Sequence, residues 1–275
     1  MVTSDDVRKD PQTALITGAS SGIGADLARL FARDRYDLVL VARNGAKLQA
    51  LSDELRRAHG IRAAVMGVDL AVPGTPENIA RRLREQRIRI DVLVNNAGFG
   101  VYGPFGETDL EVELRMLQVN IVSLTHLTKL LLPGMLARRS GKILNLASTA
   151  AFQPGPLMAV YYASKAYVLH FSEALARELA DGSGITVTAL CPGPTRTAFQ
   201  AAAGLQKSRL VRGGLMMDST NVARIGYDGL MRGKSVVIPG IRNRIVARFV
   251  RILPRDLATR LVRALHQRAA STDAA

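Results

Sequence analysis

The sequence predicts an α/β fold: a doubly wound parallel sheet of about seven strands with helices on both faces, followed by amphipathic C-terminal helices. Three observations carry this reading. Short runs of Val, Ile and Leu alternate with segments whose apolar residues recur at helical spacing, and strands apolar along their whole length belong to parallel sheets buried on both faces. The first of those strands runs straight into a glycine-rich turn that opens a helix. No repeat or low-complexity linker divides the 275 residues, a length that suits one large domain.

The elements follow in order. "TALITG" (13–18) is the first strand, and "IGADLARLFARD" after the turn is the first helix. "YDLVLVAR" (36–43) and "KLQALSDELRRAH" are the second strand and helix. "IRAAVMGVDL" is the third strand; "TPENIARRLREQ" is the third helix, with Thr75 as candidate N-cap and Pro76 at its first position. "RIDVLVNNAG" is the fourth strand. Asp109 and Glu111 favour the start of a helical region running from about 110 to 138. The fifth strand is "GKILNLAS", ending at Ser148, and the helix "AVYYASKAYVLHFSEALARELA" (159–180) follows it. Then come strand "GITVTALCPG", helix "STNVARIGYDGLMRG" and a last strand "KSVVIPG" (234–240). The domain thus spans residues 11–240, and 241–268 form a basic amphipathic extension.

Composition excludes several classes. Apolar residues make up 48% of the chain, which argues against disorder over most of its length. One cysteine, Cys191, rules out an intrachain disulfide and suits a reducing compartment. The four histidines do not cluster, so no metal site is expected. The N-terminus has no signal-peptide pattern, and no uninterrupted apolar run is long enough to span a bilayer, so a cytoplasmic protein is expected. The net charge is +14, yet no helix-turn-helix, zinc-finger or RNA-recognition pattern is present, and no nucleic-acid partner is expected. Residues 241–268 carry eight arginines against one acid, Asp256. The cluster Arg81 to Arg89 reads as a solvated face.

Ligands of such a sheet bind at the carboxyl ends of its strands, where strand order reverses. "TGASSGIG" lies at the first strand end. Gly18 allows a tight turn, Gly22 lets backbone approach a pyrophosphate, and Gly24 allows close packing; Ser20, Ser21 and Ile23 complete the phosphate turn at the helix start. The second strand ends in Ala42-Arg43-Asn44. No carboxylate stands there for a ribose 2′-hydroxyl, whereas Arg43 suits a 2′-phosphate, so NADP(H) is favoured over NAD(H). At the third strand end, Asp69-Leu70, the aspartate is placed to accept a hydrogen bond from the adenine amino group. The fourth ends in Asn95, Asn96, Ala97 and Gly98, poor strand formers suited to hydrogen bonding at a turn.

Two adjacent tyrosines open the 159–180 helix. Tyr161 and Lys165 are four apart and share a helical face, while Tyr162 is turned away by about 100°. A phenol has a pKa of about 10, and a neighbouring ammonium lowers it by favouring phenolate. Ser148 lies thirteen residues before Tyr161, on the same rim as the phosphate turn.

With "TGASSGIG", "NNAG", Asn120, Ser148, "YYASK" and "PGPTRT" in this order and spacing, the chain resembles the short-chain dehydrogenase/reductase family over about residues 11–240. The resemblance implies a Rossmann-type fold and a nicotinamide cofactor. It implies Tyr161 as general acid/base, Ser148 orienting the carbonyl oxygen, and Lys165 lowering the tyrosine pKa and holding the nicotinamide ribose. Asn120 would hold a water linking Lys165 to solvent. Pro192, Gly193, Thr195 and Thr197 would lie around the nicotinamide. It also implies a homodimer or homotetramer, paired through the helices at 110–138 and 160–180. A member that has lost its chemistry and serves as a cofactor sensor or scaffold is the alternative, although all four groups are present here.

The residues near the chemistry, Phe99, Val101, Phe152, Pro154, Leu157, Met158 and Phe199, are apolar, which favours a lipophilic ketone, aldehyde, acyl or steroid-like carbonyl or alcohol as substrate. Residues 199–217 read as a lid, with Lys207, Arg209 and Arg212 on it. In the extension, Ile241, Ile245, Val246, Phe249, Ile252 and Leu253 share a helical face, and Leu257, Leu261 and Leu265 repeat the pattern after Pro254. That face either meets an anionic membrane surface weakly or closes over the protein's own pocket or a partner subunit.

Overall fold

The computed structural model describes residues 11–205 and 216–266. Among these the chain forms strands β1 (Thr13–Thr17), β2 (Asp37–Ala42), β3 (Ala63–Gly67), β4 (Val92–Asn95), β5 (Gly141–Leu146), β6 (Ile185–Leu190), β7 (Thr195–Arg196), β8 (Met217–Asp218) and β9 (Val236–Val237). Seven of them build one sheet in the order β3-β2-β1-β4-β5-β6-β9, every pair parallel. The expected seven-stranded sheet is therefore what forms. Strands β7 and β8 pair separately, a ribbon too short for the sequence pattern to register.

Alternate strand residues feed two cores. Ala14 and Ile16 of β1 face a core with Leu27 and Phe31 of helix α1 (Gly22–Arg33), Leu48 and Leu55 of α2 (Gly45–His59), and Val222 and Leu230 of the helix Ser219–Met231. Leu15 of β1 with Val39 and Val41 of β2 faces the other core. There Ile79 and Leu83 of α3 (Thr75–Glu85), Leu127 and Met135 of α5 (Leu124–Arg138) and Leu175 of α6 (Ala159–Glu178) meet them. Each such fully buried side chain contributes about 2 kcal/mol by leaving water, which is why the strands read as unbroken apolar runs.

Several boundaries differ from the sequence reading. The N-cap of α3 is Gly74, not Thr75; the Thr75 hydroxyl instead donates to the Asp69 carbonyl at 2.9 Å. Strand β5 stops at Leu146, so Ser148 lies beyond it, capping a short 3₁₀ turn over Thr149–Phe152. The last strand shrinks to two residues. Asp109 caps α4 (Leu110–Leu117) as expected, accepting from the Val112 amide at 3.0 Å.

The helical region from 110 to 138 is interrupted by a π-helical turn, Gln118–Ser123. By length and composition this region is long and apolar enough to cross a bilayer, contrary to the reading of the sequence. Its polar residues tie it to the fold instead: Ser123 donates to the Leu70 carbonyl at 2.7 Å, and Thr128 accepts from Asn95 at 3.0 Å.

The extension forms two helices, Ile241–Ile252 and Arg255–His266. The second buries Ala258, Val262 and His266, with Val262 in one apolar cluster with Met158, Tyr162 and Ala150.

Candidate active site

Strand order reverses between β1 and β4, and the two strand ends are stitched together there. The Thr17 hydroxyl donates to the Val94 carbonyl at 3.2 Å and accepts from the amides of Asn96 and Ala97, each at 3.0 Å. The Asn96 side-chain amide donates to the carbonyls of Thr17 (2.9 Å) and Gly18 (3.2 Å). Asn96 thus fixes the start of the glycine turn. Thr17 is a site-building residue that the sequence reading passed over, although it sits one position before the first glycine, where a short hydroxyl can serve two neighbouring turns.

The turn is shaped for close approach. A Cβ at Gly24 would lie 2.4 Å from the Gly18 carbonyl oxygen and 2.5 Å from the Asn96 amide nitrogen. Gly22 has φ +54, a left-handed conformation that favours glycine. Ser21 stands at the N-cap of α1 without a side-chain capping bond, and the first turn holds no acid. The amides of the helix start are thereby left for an anion. These features fit a dinucleotide pyrophosphate.

Arg43 is exposed at the end of β2 and has no ion pair among the described residues. It lines a cavity of about 390 Å³ together with Phe99, Gly100, Val101, Tyr102 and Val112. Asn44 caps α2, accepting from the Lys47 amide at 2.9 Å. The Asp69 carboxylate is held in an ion pair with Arg115 at 2.8 Å and by a bond from the Ala71 amide at 2.9 Å, and it keeps lone pairs for a further donor.

On the β5 and β6 side, the Ser148 hydroxyl donates to the Pro192 carbonyl at 3.4 Å and accepts from the Ala150 amide at 3.1 Å, and it faces the Tyr161 phenol closely enough to favour its ionised form. Lys165 is buried beneath, its Nζ donating to the Leu146 carbonyl at 2.8 Å and lying 5.9 Å from the centre of the Tyr161 ring. Burial pushes the Tyr161 phenol up to about 12, partly offset by the neighbouring Ser148 hydroxyl, and pushes Lys165 down to about 8. Burial thus sets the direction of both shifts, and Lys165 is not among the groups that lower the phenol. Desolvation, which disfavours both charged forms, outweighs attraction across that distance.

Tyr162 points elsewhere. Its ring lies where a Cβ at Gly155 would be, 2.2 Å away, and its hydroxyl meets His266 Nε2 at 2.6 Å. The Tyr102 hydroxyl donates to the His266 carbonyl at 2.5 Å. His266 was not singled out from sequence, because nothing local marks a histidine 104 residues away as the partner of Tyr162.

Asn120 is held at both ends of its side-chain amide. Its carbonyl accepts from the Phe99 amide at 3.1 Å, and its amide donates to the Phe99 carbonyl and the Ser164 hydroxyl, both at 3.0 Å. Through these bonds it clamps the loop after β4 to α6, and beside Gly98 its side chain neighbours Lys165 Nζ. The π turn places it there, since widening the helix by one residue turns the side chain toward Phe99.

The apolar candidates converge in part. Phe199 packs on Tyr161 with ring centres 5.3 Å apart, and a Cβ at Gly100 would meet Phe199, Met158 and Tyr161 within 3.2 Å. Leu157 adopts φ +69, a left-handed conformation costly for a side chain, and its carbonyl accepts from the Gly103 amide at 2.9 Å. Thr195 donates to the Gly193 carbonyl at 2.9 Å, and Thr197 accepts from the Phe199 amide at 3.2 Å. Of the expected lid, Lys207, Arg209 and Arg212 lie outside the described residues. The described residues hold no cluster of metal-ligating side chains.

Comparison with known proteins follows this geometry. The family model for short chain dehydrogenases matches residues 12–208. A very-long-chain 3-oxoacyl-CoA reductase from Anas platyrhynchos is 36% identical over 185 residues, 65% of this chain and 58% of that protein. The chain thus spans less than two thirds of that relative's length. A short-chain dehydrogenase from Sphingobium yanoikuyae, solved in complex with NADPH, is 35% identical with a TM-score of 0.79, covering 95% of this chain and 99% of that one. The bulky-bulky ketone specific alcohol dehydrogenase from Comamonas testosteroni is 30% identical with a TM-score of 0.76, covering 97% and 98%.

Proposed function

The chain belongs to the short-chain dehydrogenase family, and from that premise we propose that it is an NADP(H)-dependent oxidoreductase interconverting a lipophilic carbonyl compound and its alcohol. The observation that carries the reading is the convergence of Ser148, the Tyr161 phenol and buried Lys165 just beyond β5, at the carboxyl-end rim of the sheet where the glycine turn also lies. The bound nicotinamide supplies or accepts the hydride. In the reducing direction, Tyr161 gives its proton to the carbonyl oxygen as negative charge develops there. Ser148 donates to the same oxygen and orients it. Lys165, charged below a pKa of about 8, steadies the phenolate left behind. Asn120 is a positioning residue that holds the Phe99 loop against α6.

The NADP preference rests on Arg43, a guanidinium with no carboxylate partner among the described residues, at the end of a strand that offers no acid for a ribose hydroxyl. The NADPH bound to the Sphingobium relative is consistent with it. The lipophilic substrate rests on Phe99, Val101, Met158 and Phe199, and the bulky ketones of the Comamonas relative point the same way.

Turnover of a panel of lipophilic ketones, aldehydes and acyl thioesters with NADPH and with NADH tests both parts. Wild type should prefer NADPH. Arg43→Ala should raise the NADPH KM about tenfold or more, as loss of a charge-assisted bond implies, and leave the NADH KM nearly unchanged. Equal wild-type efficiency with both cofactors would sink the NADP assignment. No turnover with any carbonyl would favour the sensor or scaffold alternative.

A homodimer or homotetramer is part of the proposal. Val122, Leu136 and Tyr167 remain exposed on α5, the π turn before it, and α6, as apolar residues awaiting a partner would. Sedimentation equilibrium at micromolar concentration should give a multiple of 29.6 kDa; a single-chain mass would count against it.

A further inference from the structure

The two tail helices turn their apolar residues to different places. In Arg255–His266, Val262 and His266 close onto the Tyr162 cluster, as a packing role demands. The helix Ile241–Ile252 does the reverse. It docks through small and polar residues: Ala247 is 3% exposed, and Asn243 donates to the Pro239 carbonyl at 2.8 Å and fills the space over Gly193. Its bulky residues point outward, with Ile241 69%, Ile245 61%, Phe249 55% and Ile252 79% exposed. At 100° per residue these four fall within about 80° of one another, and Ala247 lies nearly opposite the middle of that arc.

Charge decides what this ridge meets. Arg244 and Arg248 are exposed along one flank and Arg242 along the other, and the helix contains no acid. The single acid nearby, Asp256, is paired with Arg260 at 3.3 Å. A second copy would bring the same arginines against these, in a chain already at +14. An anionic lipid surface takes the apolar ridge and the flanking guanidinium groups together.

We propose that the helix Ile241–Ile252 docks the protein on the surface of an anionic bilayer, with Ile241, Ile245, Phe249 and Ile252 in the interface and Arg242, Arg244 and Arg248 among the head groups. Its inner face packs on the turn that follows Ser148 and on Gly193. The docked surface is then about one helix diameter, ~10 Å, from the candidate site. A lipophilic substrate dissolved in the bilayer would have a short path to Tyr161. That last step rests on the proposed reaction; the docking does not.

Sedimentation of the full-length protein with phosphatidylcholine vesicles, with and without phosphatidylglycerol, tests it. The protein should pellet with the anionic vesicles at low salt, be released by high salt, and stay in solution with phosphatidylcholine alone. Because the ridge is exposed, Ile245→Ser with Phe249→Ser should leave the thermal midpoint and the soluble-substrate turnover unchanged, yet weaken vesicle partitioning about tenfold or more. Arg244→Gln with Arg248→Gln should weaken it by a similar factor. A wild-type protein that stays in solution with anionic vesicles at low salt overturns the proposal. So does an unchanged partitioning of the serine variant, which would reduce the effect to non-specific charge. A serine variant that changes the sedimentation mass in the absence of lipid would assign the ridge to a second copy instead. A protein inactive toward every carbonyl would leave the vesicle result standing, so the two readings fail separately.

Discussion

Tyr161→Phe should lower kcat/KM for carbonyl reduction by about three orders of magnitude while NADPH binding survives, and Tyr162→Phe should keep most turnover but melt at a lower temperature. The first expectation follows from the phenol's place. It stands beside Ser148 at the carboxyl-end rim of the sheet where the glycine turn lies, and removing a general acid costs about 10²–10⁴-fold. The second follows from the latch. The Tyr162 hydroxyl is buried against His266 Nε2, and Nδ1 of that ring has no hydrogen-bond partner. Phenylalanine would leave both ring nitrogens unpaired in a buried place, at a cost of about 1–3 kcal/mol in stability. Steady-state kinetics and thermal melts on both variants separate the roles. A dead Tyr162→Phe enzyme beside an active Tyr161→Phe enzyme would reverse the assignment.

The sheet was legible because its residues carry one message at every level. Ala14, Leu15 and Ile16 are apolar on both sides of the strand and buried on both sides. The glycine turn was legible for the same reason, since Gly24 abuts the Gly18 carbonyl and no larger residue fits. Short elements escaped: β7 and β8 are two residues each, too brief for a period to show. The π turn escaped because its extra residue leaves no compositional mark, yet it sets the direction of Asn120.

Roles that depend on partners distant in sequence were legible least. Asp69 pairs with Arg115, and Asn120 bonds Phe99 and Ser164. Each residue type suited the expected role, but the neighbours that orient it are ones that only the fold assembles. In the tail, amphipathic spacing identified the helices but not which face docks. Ala247 is buried while Ile241, Ile245, Phe249 and Ile252 stay exposed, and Asn243 sits over Gly193, so the docked face is not the most apolar one.

Lys165 should make the free protein more stable as pH rises from about 8 toward 10. The ammonium is buried, and the bond to the Leu146 carbonyl does not replace its lost hydration, so its pKa falls from 10.5 to about 8. Below about 8 the lysine is charged in both folded and unfolded chains, and the folded state bears the full cost of burying it. Between about 8 and 10.5 the unfolded chain holds a proton that the folded chain has released, so stability increases with pH. The whole swing is about 3 kcal/mol at 1.36 kcal/mol per pKa unit. Tyr161, pushed up to about 12, acts in the opposite sense only above pH 10, where the unfolded chain loses the phenol proton first. The Cys191 thiol of the unfolded chain also titrates within the interval from about 8 to 10, so the lysine is read from the difference between wild type and a lysine variant. Lys165→Met, which fills the same slot without a charge, should be more stable than wild type near pH 7.5, and the gap should close toward pH 10 in urea titrations. A gap independent of pH would mean that the lysine is not held at a lowered pKa. The same variant should lose turnover, because the proposed mechanism needs a cation beneath the phenol. A buried ammonium that weakens the fold but is required for turnover would tie the cost of that burial to function.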